Sequence, residues 1–506
     1  MAGARGRGLT GVAGVGDPAA DRAVGTTVDR ITFGTSGWRG VIADDFTFAG
    51  VRAVSQAIAE YVTAQDPGAG ERGVVVGYDT RFLSEAFAAR AAGVLAAHGV
   101  RAFLCERDTP TPVVAHEILR RRTAGGIIVT ASHNPAEYNG LKFSAAWGGP
   151  ALPAATRQIE ERANAILAGD PVPEMSVADA TARGLLERID PRPAYLERLR
   201  GLLDLETIRK ARLRVVMDPL YGSARGYLDS FLRDAGCEVT VLHDWRDPYF
   251  GGHSPEPSEA HLQELASRVV ASDANLGLAT DGDADRFGLV DADGSFLEPN
   301  YFLGLLLHHL VKGRGWTGGV ARSVATSHLV DAVARRLDIP IYETPVGFKY
   351  VGELIAQDKV VLGGEESAGL SVKGHVPEKD GILACLLAAE LVASRGRMRL
   401  QALLQELYAE VGTVLARRLN FHLEPRLVAG LRERLKEPPA RLADRAVKEV
   451  KRLDGVKLIL EDGSWLLLRP SGTEPVVRLY AEASTPQHLE ALIAEGQRLI
   501  GVGTEN

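Results

Sequence analysis

The chain has 506 residues, of which 45% are hydrophobic and 24% are charged. At about 100–200 residues per domain, this length predicts three or four domains with their own cores. The sequence has no run of about 18 uncharged apolar residues, which excludes a membrane-spanning helix. A net charge of −7 disfavours nucleic acid as a partner. The 3 cysteines lie far apart and offer neither a disulfide framework nor a CxxC metal motif, so we expect a cytoplasmic enzyme.

Residues 1–28 are rich in Gly, Ala and Arg without hydrophobic periodicity, so we predict a disordered N-terminal tail. From about Ile31 onwards, apolar strands alternate with longer helical patterns, which is typical of α/β units. Changes in this pattern place domain boundaries near residues 190, 297 and 406. The predicted domains are 29–190, 191–296, 297–405 and 406–506.

Three strand–helix–strand patterns of similar length follow one another along the chain. They are predicted at Gly73–Gly77, Leu83–His98 and Arg101–Cys105, at Arg214–Asp218, Gly226–Ala235 and Glu238–Leu242, and at Gly319–Thr326, His328–Leu337 and Ile339–Tyr342. Their similarity indicates one α/β domain present in three related copies. Chance similarity among βα units is the alternative.

The pattern changes after Gly412. Two hydrophobic runs, Val456–Leu460 and Ser464–Leu468, flank the turn residues 461–463 and predict a hairpin. A strand over Val476–Ala481 and an amphipathic helix over Pro486–Ile500 follow. The expected fold class is therefore α/β, with three related α/β domains that have mixed, largely parallel sheets and a smaller C-terminal α+β domain.

A polar segment, TASHNP (130–135), follows the strand predicted over Gly126–Val129. Open α/β sheets bind ligands at the carboxyl ends of their strands, so the position suits a functional residue. Asn134 and Pro135 indicate a turn, and Ser132 is a candidate nucleophile with His133 beside it. An ordinary polar turn is the alternative. A serine hydrolase is disfavoured because the sequence has no G-x-S-x-G elbow.

Three aspartates, Asp281, Asp283 and Asp285, alternate with small residues in the segment DGDADR. If the segment is extended, alternation places all three side chains on one side. Two carboxylates about 5 Å apart repel by roughly 3 kcal/mol at an effective dielectric of about 20, so the group needs a cation. Oxygen ligands favour Mg²⁺ or Ca²⁺, and Arg286 adds a charge that can pair with phosphate. An EF-hand is excluded because Arg286 stands where glycine is required, and a solvated acidic turn is the alternative.

A third loop, GGEESAG (363–369), offers two carboxylates and a hydroxyl that suit the hydroxyl groups of a sugar, among them Glu365 and Ser367. His375 and Lys379 come shortly before a helix predicted over Ile382–Ala393, whose N-terminus favours anions. Acidic glycine-rich loops are common, and Lys379 alone also fits a surface position at the entry of a helix.

A fourth loop, RPSGTEP (469–475), combines Arg469 with hydroxyl and backbone donors, and Arg478 lies just beyond it. This combination is typical of phosphate binding. A nucleotide P-loop is excluded because the sequence has no G-x-x-x-x-G-K-[ST] motif. Near the start of the folded part, FGTSGWRG (33–40) surrounds Arg39 with glycines, as expected where the backbone approaches a ligand closely.

Together, TASHNP, DGDADR, GEESAG and RPSGTEP resemble the four functional loops of the α-D-phosphohexomutase family, and they occur in the family's order from about Ile31 to the C-terminus. The resemblance implies three related α/β domains and a smaller fourth one. It also implies a reversible phosphoryl transfer that is carried by a phosphoserine and passes through glucose 1,6-bisphosphate.

The resemblance also implies a role for individual residues. Ser132 would carry the phosphate, and Mg²⁺ would bind Asp281, Asp283, Asp285 and an oxygen on Ser132. Protons and charge would be handled by Arg39, His133 and Lys142. The substrate would be bound by Arg286, Gly347, Phe348, Glu365, Ser367, His375, Lys379, Arg469, Ser471, Gly472, Thr473 and Arg478.

The third loop is most similar to the phosphoglucomutase members of the family, because Ala368 and Gly369 stand where other groups have Gly and His. The expected substrate is therefore glucose phosphate, and a mannose-specific or broad-range enzyme is the alternative. The expected partners are small sugar phosphates, with the chain a monomer or a homodimer. A non-catalytic phosphosugar-binding protein is disfavoured, since it would need neither Ser132 nor three converging carboxylates.

Overall fold

The computed structural model describes residues 30–169, 171–470 and 476–502. The predicted tail (1–28) lies outside these residues, as do Ser471, Gly472 and Thr473 of the fourth loop. The described strands form four sheets. Each sheet, together with the helices packed on it, is called domain 1, 2, 3 or 4 in chain order.

Domain 1 is built on a seven-stranded sheet. Its strands are β1 (Phe33–Gly34), β2 (Gly37–Val41), β3 (Val74–Tyr78), β4 (Ala102–Cys105), β5 (Gly125–Val129), β6 (Tyr138–Ala145) and β7 (Leu186–Ile189). Its helices are α1 (Phe48–Gln65), α2 (Ala69–Arg72), α3 (Ser84–Ala97), α4 (Thr111–Arg121), α5 (Pro153–Leu167) and α6 (Val177–Ala182). The strand order is β1-β2-β6-β5-β3-β4-β7. Strands β5, β3, β4 and β7 are parallel to one another, β6 pairs antiparallel to β5, and β2 pairs antiparallel to β6.

Domain 2 has a five-stranded sheet in which parallel strands again lie beside an antiparallel edge. Its strands are β8 (Arg214–Asp218), β9 (Glu238–Val241), β10 (Leu276–Thr280), β11 (Phe287–Asp291) and β12 (Phe296–Leu297). Its helices are α7 (Arg192–Arg200), α8 (Leu205–Ala211), α9 (Leu228–Asp234) and α10 (Gln263–Ala271), with a 3₁₀ turn at Phe250–Gly252. The strand order is β12-β11-β10-β8-β9, and the aspartate segment joins β10 to β11.

Domain 3 has a four-stranded sheet in the same style. Its strands are β13 (Gly319–Ser323), β14 (Ile341–Thr344), β15 (Val360–Glu365) and β16 (Gly369–Val372). Its helices are α11 (Pro299–His308), α12 (Leu329–Arg336), α13 (Phe348–Ala356), α14 (Gly381–Ser394) and α15 (Leu400–Val411), with a π-helical turn at His309–Gly313. Helix α14 is buried along nearly its whole length because it also packs on α8, β10 and β11 of domain 2. Domains 2 and 3 therefore share one apolar core.

Domain 4 is a six-stranded antiparallel sheet with two helices. Its strands are β17 (Leu415–His422), β18 (Arg441–Leu442), β19 (Arg445–Lys451), β20 (Val456–Leu460), β21 (Trp465–Pro470) and β22 (Val476–Ala483). Its helices are α16 (Pro425–Arg434) and α17 (Pro486–Ile500). The sheet also contacts domain 3, where Val324 and Ala325 pack against Trp465, Leu467 and Tyr480.

The predicted fold class is confirmed. The strand–helix–strand patterns and the C-terminal hairpin are present, and most element ends move by one or two residues. The predicted strand at Ile339 begins at Ile341, because Asp338 has a left-handed backbone and the Ile339 N–H bonds back to Ala334 in the preceding helix. Within the described residues, no helix has the length and apolar character that crossing a membrane requires.

Candidate active site

Ser132 lies in the loop after β5 and is 1% exposed. Its backbone φ is 54°, in the left-handed region that residues other than glycine seldom adopt. Side-chain hydrogen bonds hold the loop in this shape. The Ser132 N–H donates to Thr130 Oγ1 over 2.8 Å, and the Thr130 hydroxyl donates to Asp79 Oδ2 over 2.6 Å. A strained backbone that its surroundings fix in this way is typical of functional sites.

Arg81 fixes the same loop from beneath, and its side chain is wholly buried. The guanidinium donates hydrogen bonds to four backbone carbonyls, at Ser132 (2.7 Å), Asn134 (2.6 Å), Pro135 (2.7 Å) and Tyr138 (3.0 Å). It also pairs with Asp79 over 3.2 Å. One charged side chain therefore links four backbone carbonyls between Ser132 and Tyr138.

The three aspartates converge, although the segment that carries them is not extended. Residues 282–286 form a turn in which Ala284 has a left-handed φ of 57°. The Asp281 carbonyl accepts the Ala284 N–H over 3.0 Å, and its carboxylate accepts the Arg286 N–H over the same distance. The turn, rather than strand alternation, therefore brings Asp281, Asp283 and Asp285 together.

A cation fits this group of carboxylates. All three aspartates are fully buried, and one oxygen from each lies within 4.8 Å of the others. Among the described residues, Asp283 Oδ1 and Asp285 Oδ1 have no hydrogen-bond donor, so they are available to a metal ion. Burial and the two neighbouring carboxylates raise the pKa of Asp281 well above its ordinary value. The donor set is all oxygen, which suits Mg²⁺ or Ca²⁺.

Two buried lysines partly balance the negative charge. Lys142 Nζ lies 2.6 Å from Asp283 Oδ2 and 3.1 Å from Asp285 Oδ2, and Lys379 Nζ lies 2.7 Å from Asp285 Oδ2. Burial opposes the charge of Lys142, but Asp283 and Asp285 outweigh it and raise the lysine's pKa. Burial likewise opposes ionisation of Asp285, but Lys142 and Lys379 hold its pKa far below the ordinary value. Lys142 therefore remains cationic and Asp285 remains anionic at neutral pH.

The hydroxyl of Ser132 joins this group directly. Ser132 Oγ donates to Asp281 Oδ2 over 2.7 Å, and His133 Nδ1 lies 3.3 Å from the same hydroxyl oxygen. Burial, with the charges of Arg286 and Arg39, holds the pKa of His133 well below its ordinary value. His133 is therefore a neutral imidazole at neutral pH, with one ring nitrogen facing the Ser132 hydroxyl. Arg39 donates to Asn134 Oδ1 over 2.6 Å, which places it on the serine loop.

The first three residues of the predicted sugar loop belong to strand β15, which ends at Glu365. Glu365 Oε1 accepts the N–H of Gly347 over 2.7 Å, and Phe348 begins α13. Burial, with Glu366 next to it, raises the pKa of Glu365 to about 7. Ser367 lies half-buried in the turn that follows. The structure thus brings Gly347, and with it the start of α13 at Phe348, against Glu365.

The predicted phosphate loop is described only at its two ends. Arg469 is near the end of β21 and pairs with Asp454 Oδ1 over 3.0 Å, and Asp454 Oδ2 accepts the Val346 N–H from domain 3 over 3.1 Å. Arg478 on β22 lies opposite Arg469 in the sheet register. The two arginines therefore stand side by side where the loop leaves and re-enters the sheet.

The four domains match family models in chain order. Phosphoglucomutase/phosphomannomutase α/β/α domains I, II and III match residues 30–169, 193–294 and 298–411, and the C-terminal domain of the same family matches 427–496. The chain belongs to this family, the α-D-phosphohexomutases. It is therefore a phosphotransferase mutase, of the isomerase class.

Similar proteins cover almost the whole phosphohexomutase chain. A phosphoglucomutase from Komagataeibacter xylinus is 32% identical over 95% of this chain and 92% of its own length. A phosphoglucosamine mutase from Frankia alni is also 32% identical, over 90% of this chain and 94% of its own length. A crystal structure from Thermus thermophilus is 34% identical, with a TM-score of 0.80 over 93% of this chain and 99% of that one. Since relatives of equal identity carry different substrate names, identity alone does not give the sugar.

One predicted substrate ligand of this phosphohexomutase has a different environment. The His375 side chain is 0% exposed, and its Nε2 lies 2.6 Å from Asp380 Oδ2. It contacts no residue of the serine or aspartate loops through a hydrogen bond among the described residues. The sequence placed His375 near Lys379 along the chain, but neighbouring positions on a loop do not give side chains the same direction. A contact of His375 with the substrate therefore stays a prediction.

Several site residues were missed in the sequence. Thr111, the first residue of α4, donates its hydroxyl to Asp283 Oδ2 and its backbone N–H to the Asp283 carbonyl over 2.9 Å. Glu378 is buried next to Lys379, and burial raises its pKa to about 7. Nothing in the local sequence marks these two, because their partners lie far away along the chain. Asp79 and Arg81 carry a usable signal, since they follow β3 directly at the edge of the sheet that holds Ser132.

Proposed function

We propose that this phosphohexomutase interconverts glucose 1-phosphate and glucose 6-phosphate. The observation that carries the proposal is the hydrogen bond from Ser132 Oγ to Asp281, which places a hydroxyl nucleophile against three buried carboxylates. The preference for glucose rests on the GEESAG loop, which presents Glu365 and Ser367 and has Ala368 and Gly369 in the next two positions. The phosphoglucomutase among the relatives supports the same substrate.

In the proposed reaction, phosphorylated Ser132 gives its phosphoryl group to the free hydroxyl of the bound sugar phosphate. The O–P bond at Ser132 breaks as an O–P bond to the sugar forms, which yields glucose 1,6-bisphosphate. The sugar hydroxyl loses a proton, and Ser132 Oγ gains one. Return of the other phosphate to Ser132 reverses these changes and releases the isomer. Glucose 1,6-bisphosphate is therefore both the intermediate and the activator of unphosphorylated chains.

The residues of the chain divide this work. His133, a neutral base 3.3 Å from Ser132 Oγ, moves the proton at that oxygen. Arg39 and Lys142 supply positive charge that stabilises the phosphoryl group during its transfer. The substrate phosphate that does not react is held by Arg469 and Arg478, together with Ser471, Gly472 and Thr473 of the intervening loop. The Glu365 carboxylate accepts hydrogen bonds from the sugar hydroxyls, and the Ser367 hydroxyl exchanges hydrogen bonds with them.

We propose Mg²⁺ as the metal held by Asp281, Asp283 and Asp285, with an oxygen on Ser132. When bound, Mg²⁺ neutralises charge on the transferring phosphoryl group. Asp283 Oδ1 and Asp285 Oδ1, which accept no hydrogen bond from any residue that the structure describes, support a metal at this place. Removal of the metal by EDTA is expected to abolish turnover, and added Mg²⁺ is expected to restore it. Full activity after exhaustive EDTA treatment would contradict the metal assignment.

The decisive experiment compares kcat/KM for glucose, mannose and glucosamine 1-phosphates, with Mg²⁺ and glucose 1,6-bisphosphate present. We expect glucose 1-phosphate to exceed the other two by at least about tenfold, which corresponds to roughly 1.4 kcal/mol in transition-state binding. Equal values for glucose and mannose would replace the proposal with a broad-range enzyme. A preference for glucosamine would overturn it.

The Ser132→Ala variant tests the nucleophile separately from the sugar. It removes only the hydroxyl, so we expect activity to fall by several orders of magnitude while the protein still folds. Ser55→Ala is the matched control, because Ser55 is a buried serine of the same domain whose hydroxyl, within the described part of the chain, donates only to the Val51 carbonyl in α1. Near-normal activity of Ser132→Ala would refute the phosphoserine.

A further inference from the structure

A buried hydrogen-bonded group lies beside the aspartate loop and has no part in the reaction proposed above. It consists of Tyr195, His375 and Asp380, here called the Asp380 cluster. The Tyr195 hydroxyl donates to Asp380 Oδ2 over 2.6 Å, and His375 Nε2 donates to the same oxygen over 2.6 Å. Tyr195 and Asp380 are 0% exposed. The three residues come from α7, from the loop after β16 and from the start of α14.

The cluster is larger than the cap of a helix requires. Asp380 is the N-cap of α14, and its Oδ1 accepts the Leu383 N–H over 2.8 Å. That single bond completes a normal cap. The second carboxylate oxygen instead accepts two buried donors from other segments. Burying these donors is unfavourable unless they are paired, so the sequence commits two extra polar side chains to fixing one aspartate.

Both neighbours of Asp380 touch the aspartate loop. Lys379 Nζ lies 2.7 Å from Asp285 Oδ2, and the Gly381 N–H donates to the Ala284 carbonyl over 3.0 Å. The fit at Gly381 is close, because a Cβ built there would lie 2.2 Å from the Arg286 carbonyl oxygen. Residues 379–381 therefore form a short bridge between domain 3 and the metal-binding loop of domain 2.

We propose that the Asp380 cluster is a positioning device for the metal site. Tyr195 and His375 fix the carboxylate of Asp380, and the fixed backbone at 379–381 then holds the aspartate loop in the shape that binds Mg²⁺. In this arrangement His375 is a positioning residue rather than a ligand of the sugar. This inference rests on the proposed function only in taking Mg²⁺ as the ion that the three aspartates hold.

The geometry gives a graded expectation. Groups that orient metal ligands typically contribute about 10–100-fold to metal affinity, and Tyr195 acts one step further from the metal. Removing its hydroxyl is therefore expected to raise the Mg²⁺ dissociation constant by about three- to tenfold. The loosened loop is also expected to lower kcat at saturating Mg²⁺, while KM for the sugar phosphate changes less than twofold.

The test is calorimetric titration of Mg²⁺ into the metal-free full-length chain and its variants, with turnover measured in parallel. Tyr195→Phe is compared with Tyr227→Phe. Tyr227 is equally buried, and its ring centroid lies 6.2 Å from that of Tyr195, but within the described residues it makes no hydrogen bond to Asp380. We expect weaker Mg²⁺ binding for Tyr195→Phe and a change of less than twofold for Tyr227→Phe. Equal effects of the two variants, or tighter binding by Tyr195→Phe, would overturn the proposal.

A second pair of variants separates the hydrogen bond from simple packing. The amide nitrogen of Gln can occupy the position of His375 Nε2 and donate to Asp380, whereas Leu fills similar space without a donor. We expect His375→Gln to retain most of the Mg²⁺ affinity and His375→Leu to lose it. Equal loss in both would overturn the proposal. If the unchanged chain does not bind Mg²⁺, the proposed metal site fails first, and this outcome is distinct because it does not depend on Asp380.

Discussion

Lys457 is buried where domains 3 and 4 meet, and its ionisation should make the stability of that contact depend on pH. The side chain is 0% exposed. Its Nζ donates to the Val324 carbonyl over 2.8 Å, lies 2.9 Å from His328 Nε2 and sits 3.6 Å from the ring centroid of Trp465. Among these three partners there is no carboxylate, so the ammonium loses its hydration and gains only neutral acceptors.

Burial, together with the charge of Arg322, lowers the pKa of Lys457 from 10.5 to about 7, although Glu482 partly opposes the change. Between these two values the unfolded chain binds the proton and the folded chain has largely released it. The unfolded state therefore binds more protons, so stability rises with pH in this window. A folded pKa of about 7 predicts a gain of about 2 kcal/mol between pH 7 and pH 9.

The assay is urea unfolding of the chain and of Lys457→Met at pH 7 and pH 9. Met has a similar length and no charge, so the variant should lack this pH dependence. We expect the difference in free energy of unfolding between the two proteins to change by about 2 kcal/mol over that range, in favour of the unchanged chain at pH 9. Lys210→Met is the control, because Lys210 is exposed on α8. If the free energies of unfolding of the unchanged chain and of Lys457→Met differ by the same amount at pH 7 and pH 9, the pKa of Lys457 does not affect stability in this range.

Two further predictions concern the loops of the site. Arg81→Lys keeps the charge that pairs with Asp79 but removes the planar guanidinium that donates to four carbonyls. We expect the free energy of unfolding, measured in urea, to fall by about 2–4 kcal/mol. We also expect kcat, measured by steady-state turnover, to fall about 10–100-fold. Wild-type kcat in this variant would show that the serine loop holds its own shape. Gly381→Ala places a Cβ 2.2 Å from the Arg286 carbonyl oxygen and should reduce kcat at least about tenfold by displacing the aspartate loop. Gly201→Ala, where the nearest atom is 3.5 Å away, should leave kcat unchanged, and equal effects of the two substitutions would contradict this explanation.

Features that depend on local sequence were predictable. The hairpin between β20 and β21 follows from the turn residues Glu461-Asp462-Gly463, and the buried strand before Ser132 follows from its apolar run. The convergence of the aspartates was also expected, but for a reason that the structure replaces. Alternation along an extended segment is a local rule, whereas the observed turn depends on the left-handed backbone at Ala284.

Features that depend on contacts between distant residues were not predictable. Thr111 and Asp283 are 172 residues apart, and Tyr195 and Asp380 are 185 apart. A single sequence shows only that each is a common polar residue at a plausible end of a helix or strand. The contact between His375 and Asp380 was not predictable from the sequence for the same reason. The roles of Ser471, Gly472 and Thr473 stay predictions, since they lie outside the described residues.

The aspartate loop belongs to domain 2, but Thr111 of domain 1 and Gly381 of domain 3 both donate hydrogen bonds to it. The shape of the loop therefore depends on residues of three domains. A chimera that exchanges domain 2 alone between two relatives would place a foreign loop against Thr111 and Gly381, and a mismatch of a few tenths of an ångström there would reach the carboxylates. We therefore expect chimeras of two family members to keep most activity when domains 1 to 3 come from the same parent and the crossover lies after α15.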